Sequence, residues 1–223
     1  MRRGRKKSNA AAKTLMGFYK SLYGSFGPQG WWPGRTRFEV VAGAILTQNT
    51  AWTNVRKAID NLRREKLLTP GGVHSLDVKR LAALIRPAGY FNIKAKRLKN
   101  FTDHLYSGYN GSLGRLFNKG SKALREELLN INGIGPETAD SIILYAAGLP
   151  EFVVDAYTKR VLKRHGLAGE DTGYEEMKAL FMENLPGSAR LFNEYHALIV
   201  KTGKVFCRAK KPACGLCPLK GYI

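Results

Sequence analysis

Apolar residues recur along most of this chain at the three- and four-residue spacing of amphipathic α-helices. Near the start, Leu15, Phe18 and Leu22 fall on one helix face, and Tyr19 lies beside them. No segment shows the apolar–polar alternation that is typical of a half-buried strand. The pattern predicts helices over residues 13–23, 38–46, 50–64, 76–85, 93–106, 122–129, 136–147, 156–165, 174–185 and 188–202. Thr50 is the predicted N-cap of its helix, and the predicted fold class is all-α.

The charge of the chain is strongly positive and concentrated at its ends. The 223 residues carry 37 Lys+Arg against 17 Asp+Glu, a formal net charge of +20. Residues 1–13 and residues 201–223 each hold six Lys or Arg and no acid, and we predict a flexible basic arm over 1–13. This charge favours a polyanionic partner, most commonly nucleic acid, and leaves an anionic membrane surface or the ribosome as alternatives.

The composition excludes several other classes of protein. A hydrophobic content of 44% is ordinary for a globular chain. No run approaches the roughly 20 apolar residues that span a bilayer, and the basic start is not followed by a signal-peptide core. The three cysteines all lie in the last 17 residues, which argues against a secreted disulfide framework. We therefore expect a cytoplasmic protein, nucleoid-associated if prokaryotic, with no membrane partner.

The most informative stretch is Leu-Leu-Asn-Ile-Asn-Gly-Ile-Gly-Pro-Glu-Thr-Ala, at residues 128–139. One helix ends before the glycines, and the proline takes the first position of the next helix. Between them, Gly133, Ile134 and Gly135 form a tight turn whose backbone N–H groups can approach a phosphate, beside the positive end of the second helix. A plain helix–turn–helix corner is the alternative for the glycines taken alone. The flanking residues, Thr138 among them, favour the phosphate-binding interpretation.

Three further segments carry a family resemblance: Leu-Thr-Gln-Asn-Thr at 46–50, Gly-Tyr-Phe-Asn-Ile-Lys-Ala at 89–95 and Val-Val-Asp-Ala-Tyr-Thr at 153–158. With the hairpin and the C-terminal cysteines, they resemble the helix-hairpin-helix DNA glycosylases of the endonuclease III superfamily, from about Trp31 to the C-terminus. The resemblance implies two helical lobes with the active-site cleft between them. It also implies a monomer whose partner is damaged double-stranded DNA.

The same resemblance implies a domain organisation. A helical-barrel lobe over 30–149 would end in the helix-hairpin-helix. A terminal lobe over 14–29 and 150–223 would carry the cysteine loop. Gln48 would enter the duplex in place of the extruded nucleotide. The residues expected to bind DNA are Gln48, Gly133, Ile134, Gly135 and Thr138.

Asp155 is the expected catalytic residue, because it occupies the place of the family's aspartate. Breaking an N-glycosidic bond develops positive charge on the deoxyribose, as in glycoside hydrolysis. A carboxylate near C1′ stabilises that charge and can orient or deprotonate an attacking water. From the residues alone, Asp155 is equally explained as the N-cap of the helix over 156–165, and the two roles are compatible.

Glu137 changes the expected reaction. In bifunctional members of the family, a Lys two residues after the second glycine attacks C1′, forms a Schiff base and nicks the strand. Glu137 stands at that position, and a carboxylate cannot form a Schiff base. The expected enzyme is therefore a monofunctional N-glycosylase, a hydrolase that leaves an abasic site. A nearby Lys in the same role and a first-turn acid favoured only by the helix dipole are the alternatives.

The tryptophans indicate which base is removed. Trp31, Trp32 and Pro33, the segment around Gln48 and the acid Glu137 together look most like the 3-methyladenine glycosylases of the superfamily. The bases that these enzymes excise carry a positive charge, which activates the leaving group and favours stacking on electron-rich rings, at ~0.5–2 kcal/mol per contact. The expected base pocket comprises Trp31, Trp32, Trp52, Glu137 and Lys204. Core packing is the alternative for any one tryptophan, and a solvated position is the alternative for the lysine.

The cysteines are spaced as Cys207-x6-Cys214-x2-Cys217, like the first three ligands of the family's 4Fe–4S site. The fourth ligand would follow after five further residues, where Ile223 stands. The resemblance therefore implies a possible 4Fe–4S cluster with three of its four thiolates, in a loop that contacts phosphates. A zinc site with a histidine ligand is the alternative, although no histidine has convincing spacing.

These observations predict an enzyme of base excision DNA repair. It would excise alkylated purines of the 3-methyladenine type by base flipping and hydrolysis. Within enzymes, the alternative is a glycosylase for mismatched, deaminated or oxidised bases on the same scaffold. From a different class, the alternative is a non-catalytic module that uses the hairpin only to bind DNA.

Overall fold

The computed structural model describes residues 2–32 and 34–222, with the side chains of residues 2–9 left out. Every regular element within these residues is a helix, and the all-α prediction is confirmed. The α-helices are α1 (Arg2–Phe26), α2 (Arg37–Leu46), α3 (Trp52–Arg64), α4 (Pro70–Ser75), α5 (Val78–Leu84), α6 (Phe91–Tyr109), α7 (Leu113–Phe117), α8 (Ser121–Leu129), α9 (Pro136–Ser141), α10 (Ala156–Arg164), α11 (Tyr174–Asn184) and α12 (Ala189–Val205). A π-helix over Ile142–Ala147 continues α9, and 3₁₀ turns lie at Arg86–Ala88, Cys214–Leu216 and Lys220–Tyr222.

The chain divides into two compact units. The central unit comprises residues 32–149, and the terminal unit comprises residues 1–31 and 150–223. The cleft that we expect between two lobes stays a prediction. None of the described helices is both long and apolar enough to cross a membrane.

The central unit is built around α2. Its residues from Phe38 to Leu46 are all buried, because this segment is apolar on nearly every side. The helix begins after Thr36, whose side-chain oxygen accepts the backbone N–H of Glu39 at 3.1 Å. α2 packs against α3, α6, α9 and the π-helix. The loop that carries Gln48 therefore leaves directly from the buried helix of this unit.

The terminal unit assembles α1, α10, α11 and α12 around aromatic side chains. Phe152 stacks on Phe181 with ring centroids 3.7 Å apart, and Tyr195 meets both rings edge-on. The hydroxyl of Tyr195 donates to the carbonyl of Leu15 at 2.7 Å and so ties α12 to α1. α10 and α12 also pack together, which brings the start of α10 against a buried part of α12.

The flexible arm expected over residues 1–13 stays a prediction, and its described part is helical. α1 begins at Arg2 and runs without a break into the predicted first helix. Lys, Arg and Ala make up most of this segment and have high helix propensity, and Gly4 is the main exception. They extend the helix that Leu15 and Phe18 anchor in the core of the terminal unit.

Two short helices, α4 and α7, were missed because each is too short for apolar periodicity to show. Both have recognisable first residues. Thr69 caps α4 by accepting the N–H of Gly72 at 2.9 Å, with Pro70 at the first position. Ser112 caps α7 by accepting the N–H of Arg115 at 3.3 Å. The capping residues Thr69 and Ser112, rather than apolar periodicity, could have predicted these two helices.

Candidate functional site

The hairpin lies in the central unit, between α8 and α9. α8 ends at Leu129 and α9 begins at Pro136, as the sequence predicted. Gly133 has a φ of +95°, which residues with a side chain rarely adopt, and a Cβ there would overlap Cγ of Arg97. Gly135 has open space around the position of a Cβ and lacks a positive φ. Gly133 is therefore the glycine that the turn requires.

Gln48, in the turn between α2 and α3, is hydrogen-bonded to this hairpin. Its Nε2 donates to the carbonyl of Gly133 at 3.0 Å and to Oγ1 of Thr138 at 2.9 Å. Its Oε1 accepts a hydrogen bond from the guanidinium of Arg97. The structure thus brings three of the expected DNA-binding residues into one group, with an arginine that the sequence had not singled out. Ile134 is different, since its side chain packs in the hydrophobic core.

Lys94, on α6, is a second residue that sequence reasoning missed. It is almost completely buried, and its Nζ donates to the carbonyl of Leu46, to Oγ1 of Thr50 and to the carbonyl of Ala88, at 2.6–2.8 Å. Burial lowers the pKa of Lys94 to about 8. All three N–H donors of the ammonium group are used. Lys94 therefore links the end of α2 and the loop after it to Ala88, which directly precedes the segment at 89–95.

The N-cap predicted at Thr50 is wrong. α3 begins at Trp52, and its N-cap position is Ala51. The hydroxyl of Thr50 donates to the carbonyl of Ala88 at 2.6 Å and accepts from Lys94. These two partners lie 38 and 44 residues after Thr50 in the sequence. A capping rule that considers only neighbouring residues cannot predict them.

Three aromatic side chains meet in the central unit: Trp32, Trp52 and Tyr145. The rings of Trp32 and Trp52 are perpendicular, with centroids 5.2 Å apart, and the ring of Tyr145 lies 4.9 Å from that of Trp32. Gly43 makes room for them, since a Cβ there would lie 3.3 Å from Trp32 and 3.5 Å from Trp52. This arrangement is called the aromatic corner below.

The geometry of the aromatic corner limits how it could hold a base. Trp32 and Trp52 touch, so no third ring fits between them. Perpendicular rings instead offer one face for stacking and one edge for a lateral contact. Tyr145 was missed because it lies in the π-helix, where the residues depart from the 3.6-residue period of the helix predicted over 136–147.

Trp31 and Lys204 belong to the terminal unit. Lys204 is exposed in the last turn of α12, and its Nζ lies 5.9 Å from the centroid of a Trp31 ring. This is a cation–π distance, so that ring already faces a positive charge. The five residues expected to form the base pocket are therefore divided between the units: Trp31 and Lys204 in one, and Trp32, Trp52 and Glu137 in the other.

Glu137 is exposed in the first turn of α9, where a carboxylate interacts favourably with the helix dipole. It has no amine with which to form a Schiff base. Lys94 has the lowered pKa that activates a lysine, but its three N–H bonds are directed at three oxygens of the protein. It is therefore a poor substitute for the nucleophile.

Asp155 is the N-cap of α10, as the sequence allowed. Its Oδ1 accepts the backbone N–H of Thr158 at 2.8 Å. Its side chain is only 15% exposed, and Oδ2 lies 3.5 Å from Nε2 of His196 on α12. Burial by itself raises the pKa of Asp155, but His196 and the hydrogen bonds from Thr158 outweigh it and hold that pKa below its usual value. The site therefore offers an ionised carboxylate at neutral pH.

The three cysteines lie in the loop after α12. Cys207 and Cys217 are buried and Cys214 is exposed, while Arg164 donates to Sγ of Cys207 at 3.3 Å. Burial raises the pKa of Cys217. Within residues 2–32 and 34–222, no three Cys, His, Asp or Glu side chains are placed to hold a metal ion, and Ile223 lies outside the described residues. The donors present do not complete the four-thiolate set of a 4Fe–4S cluster.

Comparison with known proteins decides the family. A model of the HhH-GPD superfamily of base excision DNA repair proteins matches residues 42–187, a range that includes Gln48, the hairpin and Asp155. The chain belongs to this superfamily. As an HhH-GPD protein it is a DNA glycosylase, which confirms that part of the predicted activity. Residues 207–222 match the iron–sulfur binding domain of endonuclease III, which confirms the kind of loop that the cysteines predicted.

Several relatives share most of their length with this HhH-GPD protein. A Methanocaldococcus jannaschii protein assigned as a DNA repair glycosylase is 51% identical over 205 residues, 92% of this chain and 93% of that protein. The endonuclease III of Sulfolobus acidocaldarius is 30% identical, over 85% of this chain and 83% of that protein. Among solved structures, the Helicobacter pylori 3-methyladenine DNA glycosylase bound to 1,N6-ethenoadenine is 29% identical, with a TM-score of 0.75, and covers 87% of this chain and 97% of that one.

Proposed function

We propose that this HhH-GPD protein is a monofunctional glycosylase that excises alkylated purines of the 3-methyladenine type from double-stranded DNA and leaves an abasic site. The observation that carries the proposal is the state of Asp155, a largely buried carboxylate that is held ionised and fixed at the start of α10. Hydrolysis of an N-glycosidic bond needs a negative charge that is already in place beside C1′.

Asp155 performs the chemical step in this proposal. Once the damaged nucleotide is flipped out of the duplex, departure of the base develops positive charge on the deoxyribose. The carboxylate stabilises that charge and orients the water that attacks C1′. Because Thr158 fixes Oδ1, the group does not have to reorganise during the reaction.

The aromatic corner favours a cationic base. A purine methylated at N3 or N7 is positively charged, so its departure needs little acid catalysis, and it is attracted to the faces of indole rings. Trp32 and Trp52 together offer one such face, with the phenol ring of Tyr145 beside Trp32, whereas the ring of Trp31 already meets Lys204. The similarity to the Helicobacter pylori 3-methyladenine glycosylase supports the same substrate class.

Glu137 supports the absence of a lyase step. This chain is similar to relatives named endonuclease III. At the position where bifunctional members of the family carry the Schiff-base lysine, this chain has the carboxylate of Glu137. The reaction would therefore stop at the abasic site, with the DNA strand intact.

The hydrogen-bonded group of Gln48, Gly133, Thr138 and Arg97 is proposed as the DNA-binding centre of the central unit. In this proposal, the backbone of the hairpin turn binds a DNA phosphate. Gln48, which is hydrogen-bonded to the turn and to Arg97, would occupy the space of the extruded nucleotide. The cysteine loop is proposed to shape a basic surface. No step of the reaction passes through a cluster, and iron analysis of the purified protein measures whether any is bound.

The variant Asp155→Asn tests the catalytic assignment. Asparagine still accepts a hydrogen bond as an N-cap, so the fold and DNA binding are retained while the negative charge is lost. We expect release of 3-methyladenine from methylated DNA to fall by at least about 10³-fold in single-turnover assays. The matched control is Asp77→Asn, because Asp77 caps α5 in the same way, by accepting the N–H of Arg80 at 2.8 Å. Full activity of Asp155→Asn would overturn the mechanism.

A panel of duplex oligonucleotides tests the substrate class. Each duplex carries one lesion: 3-methyladenine, 7-methylguanine, uracil or thymine opposite guanine, or 8-oxoguanine. We expect excision of the methylated purines only. Preferential release of an uncharged base would replace the proposed substrate class with one of the alternatives, and no release from any duplex would favour a DNA-binding module.

A further inference from the structure

The two carboxylate oxygens of Asp155 have different partners. Oδ1 accepts the backbone N–H of Thr158, within the first turn of α10. Oδ2 faces Nε2 of His196, which belongs to α12. One contact is the ordinary contact of an N-cap, and any aspartate that starts a helix can make it. The other depends on the packing of α12 against α10 and is specific to this site.

His196 occupies a position where a polar side chain is costly. Residues 195–200 of α12 are all buried, and His196 itself is 5% exposed. An imidazole in such a place requires polar partners, because burial removes its contacts with water. Asp155 lies opposite it, with Oδ2 3.5 Å from Nε2. His196 therefore helps to keep Asp155 ionised inside the terminal unit.

The contact restricts the orientation of the carboxylate. When only Oδ1 is held, the carboxylate can still rotate about its Cβ–Cγ bond and tilt away from one position. Nε2 of His196 lies 3.5 Å from Oδ2, so the second oxygen faces a group on a second helix. Orientation matters for the rate, since a misplacement of about 1 Å in a catalytic group costs about 100-fold.

We propose that His196 is a positioning residue for Asp155, which holds Oδ2 through its Nε2 while Thr158 holds Oδ1. The inference rests on the proposed function, in which Asp155 acts on C1′. Electrostatics agree with the geometry, because His196 contributes the largest of the effects that lower the pKa of Asp155 against its burial. His196 does not touch the substrate, and its effect on the rate is transmitted through the carboxylate.

Two amide variants separate positioning from packing. The side-chain nitrogen of His196→Gln reaches the place of Nε2, whereas that of His196→Asn is too short to do so. In single-turnover excision from methylated DNA, we expect the Gln variant to keep most of the rate and the Asn variant to lose about 100-fold. The affinity for the same DNA should be unchanged in both, because neither variant alters a DNA-binding residue.

The matched control is His165→Asn. His165 lies in the same unit at the far end of α10, where its Nδ1 is 2.8 Å from the carbonyl of Val161. The same substitution there should leave the excision rate unchanged. Equal loss in the Gln and Asn variants of His196 would show a packing role only and overturn the inference. A wild-type rate in His196→Asn would overturn it as well.

A second measurement does not depend on how well the His196 variants fold. The ring ¹⁵N resonances of His196 are compared by NMR in the parent protein and in Asp155→Asn, and we expect them to move when the carboxylate charge is removed. Unmoved resonances would overturn the pairing. The two hypotheses fail in different ways: full activity of Asp155→Asn rejects the proposed function, whereas an inactive Asp155→Asn with a fully active His196→Asn rejects only the positioning role.

Discussion

Two carboxylates with opposite environments, one in each unit, carry the proposed chemistry. Asp155 is largely buried and held by Thr158 and His196, so it is a fixed charge. Glu137 is exposed on the first turn of α9, and in the proposed function it leaves no amine at this position to attack C1′. Together they favour hydrolysis without a covalent intermediate.

The absence of a Schiff base can be tested directly. When the protein acts on methylated DNA in the presence of sodium borohydride, we expect no covalent protein–DNA adduct, because Glu137 cannot form the imine that borohydride reduces. The product strand should stay intact until it is treated with alkali. A bifunctional endonuclease III assayed in parallel confirms that trapping works. A trapped adduct from this protein would show that an amine elsewhere in the chain acts as the nucleophile.

The hairpin glycines are predicted to differ in their tolerance of a methyl group. Gly133→Ala places a Cβ on Arg97 and a side chain at a φ of +95°, so we expect a loss of about 1–3 kcal/mol in the free energy of unfolding and weaker DNA binding. Gly135→Ala is the matched control, because a Cβ there has open space around it. Thermal unfolding of both variants is the measurement, and equal unfolding temperatures would contradict the prediction.

Sequence reasoning at the residue scale succeeded where the partner was local. The N-cap role of Asp155 follows from the residues beside it. Lys94, Tyr145 and His196 were missed, because their partners come from distant parts of the chain or from a π-helical turn. The capping role expected of Thr50 failed for the same reason, since a buried lysine 44 positions away uses its hydroxyl.

At the scale of elements, a single carboxylate joins α6 to α8. Glu127 accepts hydrogen bonds from His104, at 2.8 Å, and from Tyr109 and Lys119. Burial by itself raises the pKa of Glu127, but these three hydrogen bonds outweigh it and lower that pKa to about 2. α8 is the first helix of the hairpin, so this cluster stabilises the element on which the turn is built.

The cluster predicts how stability depends on pH. The pKa of Glu127 lies below its ordinary value of 4.5, so its contribution is fully present above that pH and is lost as the pH falls from 4.5 towards 2. At pH 7 we expect Glu127→Gln to cost about 1 kcal/mol and to lower Tm by about 2–4 °C, with the difference from the parent shrinking in acid. Glu126→Gln, at the exposed neighbouring position, is the control. A difference that stays constant down to pH 2 would contradict the assignment.

The cysteine loop shows how an element can be held without a complete ligand set. Arg160 donates to the carbonyl of Cys207 at 2.6 Å, and Arg164 donates to the carbonyl of Arg208 at 2.8 Å. At the other end of the loop, the ring of Tyr222 meets Phe18 edge-on, with centroids 4.9 Å apart. The cysteine spacing predicted the loop, but these anchors involve α10 and α1 and could not be read from it.

At the scale of the whole molecule, the fold class was more predictable than the site. Apolar periodicity located most helices, because each helix buries one face whatever its partners are. Which of the candidate site residues lie close together in space was less predictable than the helices. Trp31 and Trp32 are adjacent in sequence and fall in different units, one facing Lys204 and the other Trp52. Only the packed structure separates their environments.

The net charge of +20 predicts affinity for DNA rather than choice of lesion. Phosphate contacts make binding salt-dependent, with a slope of log K against log salt of about −0.9 for each contact. We expect a variant in which the five Lys and Arg of residues 2–7 become Gln to have a shallower slope on undamaged and methylated duplexes alike. Glutamine keeps the helix propensity of α1, so the loss of charge is the main change. The ratio of excision rates between 3-methyladenine and 7-methylguanine should stay the same, because the proposed function assigns the choice of base to the aromatic corner and Asp155. A changed ratio with an unchanged slope would place lesion recognition at the N-terminus instead.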